Sequence, residues 1–295
     1  LDLYLHQPKP DVFFTPTHYA PRFCPVPSVI TIFDLSFLKP EFESYFRKSD
    51  LLQLRSWTQY SVKQAAHILT ISESSKRDIV QEYQIDPEKV TVTYLGPDPA
   101  FLNQESKIAV HEVMKVYNLE APYILFVGTL QPRKNISRLI DAFANIALEH
   151  NLDLVIVGKK GWLYEDIFQK VTELKLSERI HFLDFVPDAH LPHLMSQAKV
   201  FVLPSLYEGF GIPVVNAFVV GTPVVTSNVS SLPEIVGDAG ILVDPKDIRS
   251  IANGIEKAIE NRDNLIAKGK LRAETFSWEK CARETHEVLQ KVICG

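Results

Sequence analysis

The chain lacks most of what would tie it to a membrane, a metal or nucleic acid. Across its 295 residues no apolar run approaches the ~20 residues that span a bilayer. Three cysteines, Cys24, Cys281 and Cys294, form neither an even-numbered disulfide framework nor a metal-binding spacing, which points to a reducing, cytoplasmic compartment. There is no surplus of positive charge: the formal net charge is −5 and the cations are scattered, so nucleic acid is not an expected partner. His18, His181, His190 and His193 fall into no zinc pattern, and no Ser-centred nucleophile elbow is present. Each of these histidines therefore reads as structural, and no metal site is expected. The glycines have neither the Walker spacing nor the dinucleotide fingerprint. No short-period repeat and no low-complexity segment occurs, which excludes solenoids and linkers.

What is present is ordinary for a globular chain, with 46% hydrophobic and 23% charged residues, and the length suffices for two domains. In the first third, Asp11-Val-Phe-Phe-Thr15, Val29-Ile-Thr-Ile-Phe33, His67-Ile-Leu-Thr-Ile71 and Val90-Thr-Val-Thr-Tyr94 read as short buried parallel strands. Residues 41–66 read as a packed helix pair, and Ser72, Ser74 and Ser75 are N-cap candidates for the helix that follows. Asp34 directly follows the second strand. A carboxylate there lies where open α/β sheets bind ligands, although a turn or cap acid fits equally well.

After a charged helical segment, residues 103–118, a second alternation begins. Strands are expected at 123–127, 153–157, 179–183, 199–203, 223–226 and 241–243, with helices between most of them. Ile136, Leu139, Ile140, Phe143 and Ala147 share one helical face, with Asn135 as the cap. The last helices, about 246–260, 263–274 and 278–293, have no strand after them, and one is expected to pack back on the first domain. A parallel α/β protein of two domains follows, divided near residues 100–120.

The stretch Pro204–Val225 is central. An apolar strand runs into a loop with Glu208, two glycines about Phe210, and Pro213 at a helix start, with Gly221 ending that helix. Strand, glycine loop and helix N-terminus suit an anion, because unpaired N–H groups and the helix dipole both favour negative charge. Gly128-Thr-Leu-Gln-Pro-Arg-Lys-Asn135 repeats the arrangement with two cations and would suit a diphosphate. A solvated Arg–Lys pair and a solvated loop acid at Glu208 remain the plainer readings of each loop alone. In Asp184-Phe-Val-Pro-Asp188 an apolar residue could cover a flat base while the backbone reads its edge. The same residues would also serve as a turn, with Asp188 capping the next helix.

In order along the chain come Gly128-Thr-Leu-x-Pro-Arg-Lys-Asn, Val186-Pro-Asp-x-x-Leu-Pro, Pro204-Ser-Leu-Tyr-Glu-Gly-Phe-Gly-Ile-Pro, Gly221-Thr-Pro-Val-Val, Leu232-Pro-Glu-Ile-Val-Gly-Asp-Ala and Phe276-Ser-Trp-Glu. Together they resemble glycosyltransferase family 4, in its bacterial mannosyltransferase-like branch, over nearly the whole chain. The resemblance implies the GT-B fold: two Rossmann-like domains facing a cleft, the donor held mainly by the C-terminal one. On that pattern residues 1–110 form a partial acceptor-side domain, with helix 278–293 as its candidate completion, and residues 111–277 form the donor domain. It also implies transfer of a hexosyl, in this branch mannosyl, group with retained anomeric configuration, from a nucleotide-sugar to a glycan or lipid-linked acceptor. No cofactor and no obligatory metal are implied. By position, Glu208 and Asp34 are the catalytic residues. Arg133, Lys134, Gly128 and Thr129 take the donor diphosphate, and Gly209, Phe210 and Gly211 contact its sugar and phosphate. Asn216 is placed at the ribose, and Phe185 and Val186 at the base. A lipid-linked acceptor would bring the chain to the inner face of a membrane, leaving peripheral contact open.

The departures from the pattern are specific. Asn216 stands where the family has a second glutamate, Phe33 where a histidine usually precedes the aspartate, and Thr129 where many members carry arginine. The family's first strands and glycine-rich loop have no counterpart before Asp11, so a fragment or truncated product is expected. The alternative function is a catalytically weak or inactive nucleotide-sugar-binding protein of the same fold. An epimerase of that fold is a remote third.

Overall fold

The computed structural model describes residues 9–102, 109–120 and 122–294. They form two units. The first takes the residues up to Gly96 together with Glu208–Phe210 and the segment from Ser277 onward. The second takes Pro97–Tyr207 and Gly211–Phe276.

In the first unit β1 (Phe13–Thr15), β2 (Ser28–Ile32), β3 (His67–Thr70) and β4 (Val90–Val92) make a parallel sheet in that order. The helices α1 (Lys48–Gln64) and α2 (Glu73–Tyr83) connect β2 to β3 and β3 to β4. The two central strands, β2 and β3, are buried throughout because both faces are covered, as parallel sheets require. By contrast β4 is only partly buried, and β1, expected to be buried, lies at the edge with Phe14 exposed. Ile30, Ile32 and Ile68 pack with Leu51, Val62 and Ile79 on one face, whereas Val29 and Leu69 meet Val288 on the other. Ser72 caps α2, its Oγ accepting from the Ser75 N–H at 3.0 Å. The Ser75 hydroxyl in turn donates to the Phe33 carbonyl at 2.9 Å, fixing the end of β2 beside Asp34. One expectation is corrected. Residues 41–66 are not a helix pair: Pro40 opens a 3₁₀ turn, Pro40–Tyr45, Phe46 and Arg47 are extended, and α1 follows alone.

In the second unit α3 (Pro99–Leu102) and α4 (Val110–Val116) precede β5 (Tyr123–Val127); residues 103–108 of the expected charged helix lie outside the described residues. There follow α5 (Ile136–Ile146), β6 (Asp153–Val157), α6 (Glu165–Glu173), β7 (Ile180–Phe182), α7 (Leu191–Gln197), β8 (Val200–Leu203), α8 (Ile212–Val219), β9 (Val224–Ser227), α9 (Leu232–Val236), β10 (Ile241–Val243), α10 (Ile248–Glu260) and α11 (Arg262–Ala273). The six strands are parallel in the order β10-β9-β8-β5-β6-β7. Counted from β5, that is the doubly wound dinucleotide-binding order, in which the direction of winding reverses between the first strand and the fourth. The reversal places β5 beside β8. Ile136, Leu139, Ile140 and Phe143 of α5 are all buried, as their spacing requires. The final helix, α12 (Trp278–Cys294), belongs to the first unit and covers the second face of its sheet with Val288, Leu289 and Val292. Among the described residues no helix is long and apolar enough to cross a membrane.

Candidate active site

Ligands of doubly wound sheets bind beyond the strand C-terminal ends at the reversal point. In the second unit that point is flanked by the loop Gly128–Asn135 after β5 and the loop opened by Pro204 after β8. The two loops are stitched together. The Leu206 N–H donates to the Arg133 carbonyl at 2.8 Å, and the Arg133 guanidinium donates to the Tyr207 carbonyl at 2.8 Å. The Asn135 amide donates to the carbonyls of Pro204 at 2.9 Å and Pro245 at 2.7 Å. Asn135 occupies the N-cap position of α5 in the left-handed region, φ 60°, but its side chain makes no cap bond. Its short amide serves better as a tie between loops, so the expected cap is a loop anchor.

Lys134 follows Arg133 in a 3₁₀ turn, Pro132–Lys134, and its stem folds back over the strand end. A Cβ on Gly128 would stand 3.6 Å from the Lys134 Cε. Thr129 is exposed beside it. A side chain on Gly158, at the end of β6 with φ +151°, would strike the Gly128 carbonyl oxygen at 2.0 Å, so this pair of backbones meets only because Gly158 has none. Lys159 and Lys160 come next, two exposed cations outside every sequence motif described above. The Lys159 ammonium lies 5.0 Å from the centroid of the Phe185 ring. Phe185 is 62% exposed and follows Asp184, whose φ of 48° turns the chain after β7; Val186 behind it is buried. Asp188 is not a cap, since His190 holds that position at α7.

Gly211 begins α8 and Pro213 lies in its first turn, as expected. Asn216 is buried in α8, where its side-chain oxygen accepts the Asp98 N–H at 2.9 Å. That oxygen therefore anchors the start of this unit.

In the first unit Asp34 stands at the end of β2, and its carboxylate accepts the Ser36 N–H at 2.8 Å. Gly209 packs against it: an added Cβ would sit 2.8 Å from the Phe33 carbonyl oxygen and 3.1 Å from the Asp34 Cβ. Glu208 is buried, and the buried Phe210 ring lies 6.1 Å from that of Tyr94. The structure thus places Glu208–Phe210 and Asp34 in one unit, with Gly209 against Asp34, and the remaining expected site residues in the other. The sequence gives His18 a structural role only. Its Nε2 is buried with no hydrogen-bond partner, burial holds its pKa below the ordinary 6.5, and the Asp34 charge opposes that shift. No local pattern marks it, because β1 and β2 pair only in three dimensions. His181 and His190 are satisfied, by Asp153 at 2.8 Å and the Tyr117 hydroxyl at 2.9 Å. Among the described residues one group has metal-ligand proximity, Glu149, His150 and Glu256, at the opposite end of α5 from the Lys134 loop.

Residues 112–274 match the family description "glycosyl transferases group 1", and residues 1–101 match "glycosyltransferase family 4". The chain belongs to the group 1 glycosyltransferases. It is 33% identical over 283 residues to the O-antigen chain mannosyltransferase B of Escherichia coli, covering 94% of this chain and 73% of that one. To the MMP α-(1→4)-mannosyltransferase of Mycolicibacterium hassiacum it is 30% identical over 240 residues, covering 78% of this chain and 55% of the relative. The structure of Anabaena HepE in complex with UDP-glucose superposes with a TM-score of 0.78 at 22% identity, over 95% of this chain and 79% of that one. The fold is that of the GT-B glycosyltransferases, and the family makes the chain a transferase.

Proposed function

We propose that the chain transfers a hexosyl group, mannosyl by analogy with its relatives, from a nucleotide-sugar donor to a glycan or lipid-linked acceptor with retained anomeric configuration. The observation that carries this reading is the pair of stitched loops at the reversal point, which presents Arg133 and Lys134 beyond the end of β5. As the bond to the leaving group breaks, positive charge grows on the sugar and negative charge on the diphosphate. Fixed cations and helix N-termini lower the energy of that separation because they need not reorganise during it. Lys134 and Arg133 neutralise the diphosphate beside Gly128 and Thr129, and a metal is then dispensable. Glu208 holds hydroxyls of the transferred sugar, with Gly209, Phe210 and Gly211 supplying backbone contacts and Asp34 the second carboxylate. Phe185 and Val186 address the base, and Asn216 the ribose through its NH₂ group. The free cysteines suit a cytoplasmic setting, at the inner membrane face if the acceptor is lipid-linked.

A second reading, a nucleotide-sugar-binding protein without turnover, is favoured by Asn216, whose side-chain oxygen already accepts the Asp98 N–H. Incubation with a panel of nucleotide sugars and acceptors separates the two. Release of nucleoside diphosphate that depends on acceptor, is insensitive to chelators, and yields a product of unchanged anomeric configuration is the expected result. Donor binding without turnover selects the second reading, and an inverted product sinks retention.

A further inference from the structure

The first unit contains a cavity that none of these roles uses. It lies between the segment after β1 and one face of α1, has a volume of about 330 Å³, and is lined by Tyr19, Arg22, Ser56, Trp57, Tyr60 and Ser61. That volume is within the range of small-molecule pockets. Its wall is fixed from both sides: the Ser61 hydroxyl accepts the Ala20 N–H at 2.8 Å and donates to the Trp57 carbonyl at 2.8 Å. Tyr19 and Trp57 meet edge to face, with centroids 5.3 Å apart and planes at 80°. Trp57 nevertheless stays 46% exposed, and Tyr60 lies on the same side of α1, three residues on.

Aromatic faces rimmed by hydroxyl and indole N–H groups match the chemistry of a sugar ring, whose C–H face is apolar and whose edge is all hydroxyl. Arg22 adds a guanidinium. No carboxylate lines the cavity, and Arg22 makes no ion pair among the described residues. An uncompensated guanidinium selects planar oxyanions, which it binds through two parallel hydrogen bonds.

We propose that this cavity is a glycan subsite, taking one ring of an acidic saccharide on Trp57 and Tyr60 with the acidic substituent at Arg22. Binding there is independent of the donor and transfer roles above. The chain's three tryptophans, Trp57, Trp162 and Trp278, would give three signals after labelling with 5-fluorotryptophan, and Trp57→Phe assigns the relevant one. The probes are trigalacturonate, its trimethyl ester and inorganic phosphate. Trigalacturonate should shift the Trp57 signal saturably, about tenfold more tightly than the ester, as one charge-assisted contact warrants. Arg22→Gln should bring the two saccharides to equal affinity. Tyr60→Ala should weaken both by about tenfold or more, since losing a stacked ring costs roughly 1–3 kcal/mol. Nucleoside diphosphate affinity of Tyr60→Ala should be unchanged, which keeps a failure here distinct from a failure of the donor reading. No saturable shift by either saccharide, equal affinity for acid and ester in the unaltered protein, or a shift reproduced by phosphate alone would each overturn the proposal.

Discussion

Glu208 and Gly209 show how little room the candidate site leaves at the scale of a residue. Glu208 is buried beside a glycine whose absent side chain lets the loop approach the Phe33 carbonyl and Asp34. Replacing the carboxylate by an amide keeps the shape and removes the charge. Glu208→Gln should therefore lower transfer on the order of 10²-fold, the scale of losing one positioned polar group. Nucleoside diphosphate binding, measured by calorimetry, should hardly move. Unchanged turnover would remove Glu208 from the site. The sequence marks this loop and its acid as candidates. It did not reveal which polar atoms are already engaged, because those bonds join distant segments: Arg133 with Tyr207, and Asn216 with Asp98 across 118 positions. Lys159 over Phe185 was missed for the same reason.

At the scale of elements, local pattern and tertiary pairing divide the credit. The strands at Tyr123–Val127, Asp153–Val157 and Ile241–Val243 have the bounds that their apolar runs predict. The helix pair expected over 41–66 failed because helix formers continue through Phe46 and Arg47, where the backbone is extended. Adjacency of β5 and β8 was not legible, since parallel strands of similar composition carry no label of their neighbours. On its other side β5 neighbours β6, and there the chain makes a tight crossing, Gly158 against Gly128. Gly158→Ala should force either an unfavourable backbone conformation, roughly 1–3 kcal/mol, or a shift of the Gly128 loop. A fall in melting temperature of at least about 2 °C, by calorimetry, is expected. Nucleoside diphosphate affinity should weaken with it, and an unchanged melting curve would show that the Gly158 and Gly128 backbones do not meet as described.

For the whole molecule, acid should act unevenly on the two units. His18 and His67, both in the first, have pKa values below the ordinary 6.5, chiefly through burial. At His67 the charges of Lys291, Lys76 and Lys89 add to the effect. A histidine kept neutral by folding binds more protons unfolded than folded in the window between its lowered value and 6.5. Stability thus rises with pH across that window, falls on acidification through it, and levels off once both states are protonated. Hydrogen-exchange protection of the β2 and β3 amides, corrected for intrinsic rates, should drop between pH 7.5 and pH 5.5 (values chosen about the ordinary ~6.5 of histidine). Equal or greater protection at the lower pH would contradict this.

The central claim is that the stitched loops beyond β5 and β8 hold a nucleotide diphosphate, and Lys134 tests it most directly. Calorimetric titration of the unaltered protein and of Lys134→Ala with a nucleoside diphosphate and with the matching nucleoside separates charge from the rest of the pocket. Losing a charge-assisted contact of ~1.5–3 kcal/mol should weaken diphosphate binding roughly 10- to 150-fold and leave the nucleoside nearly unaffected. Equal losses for both ligands, or no loss for either, would contradict the account.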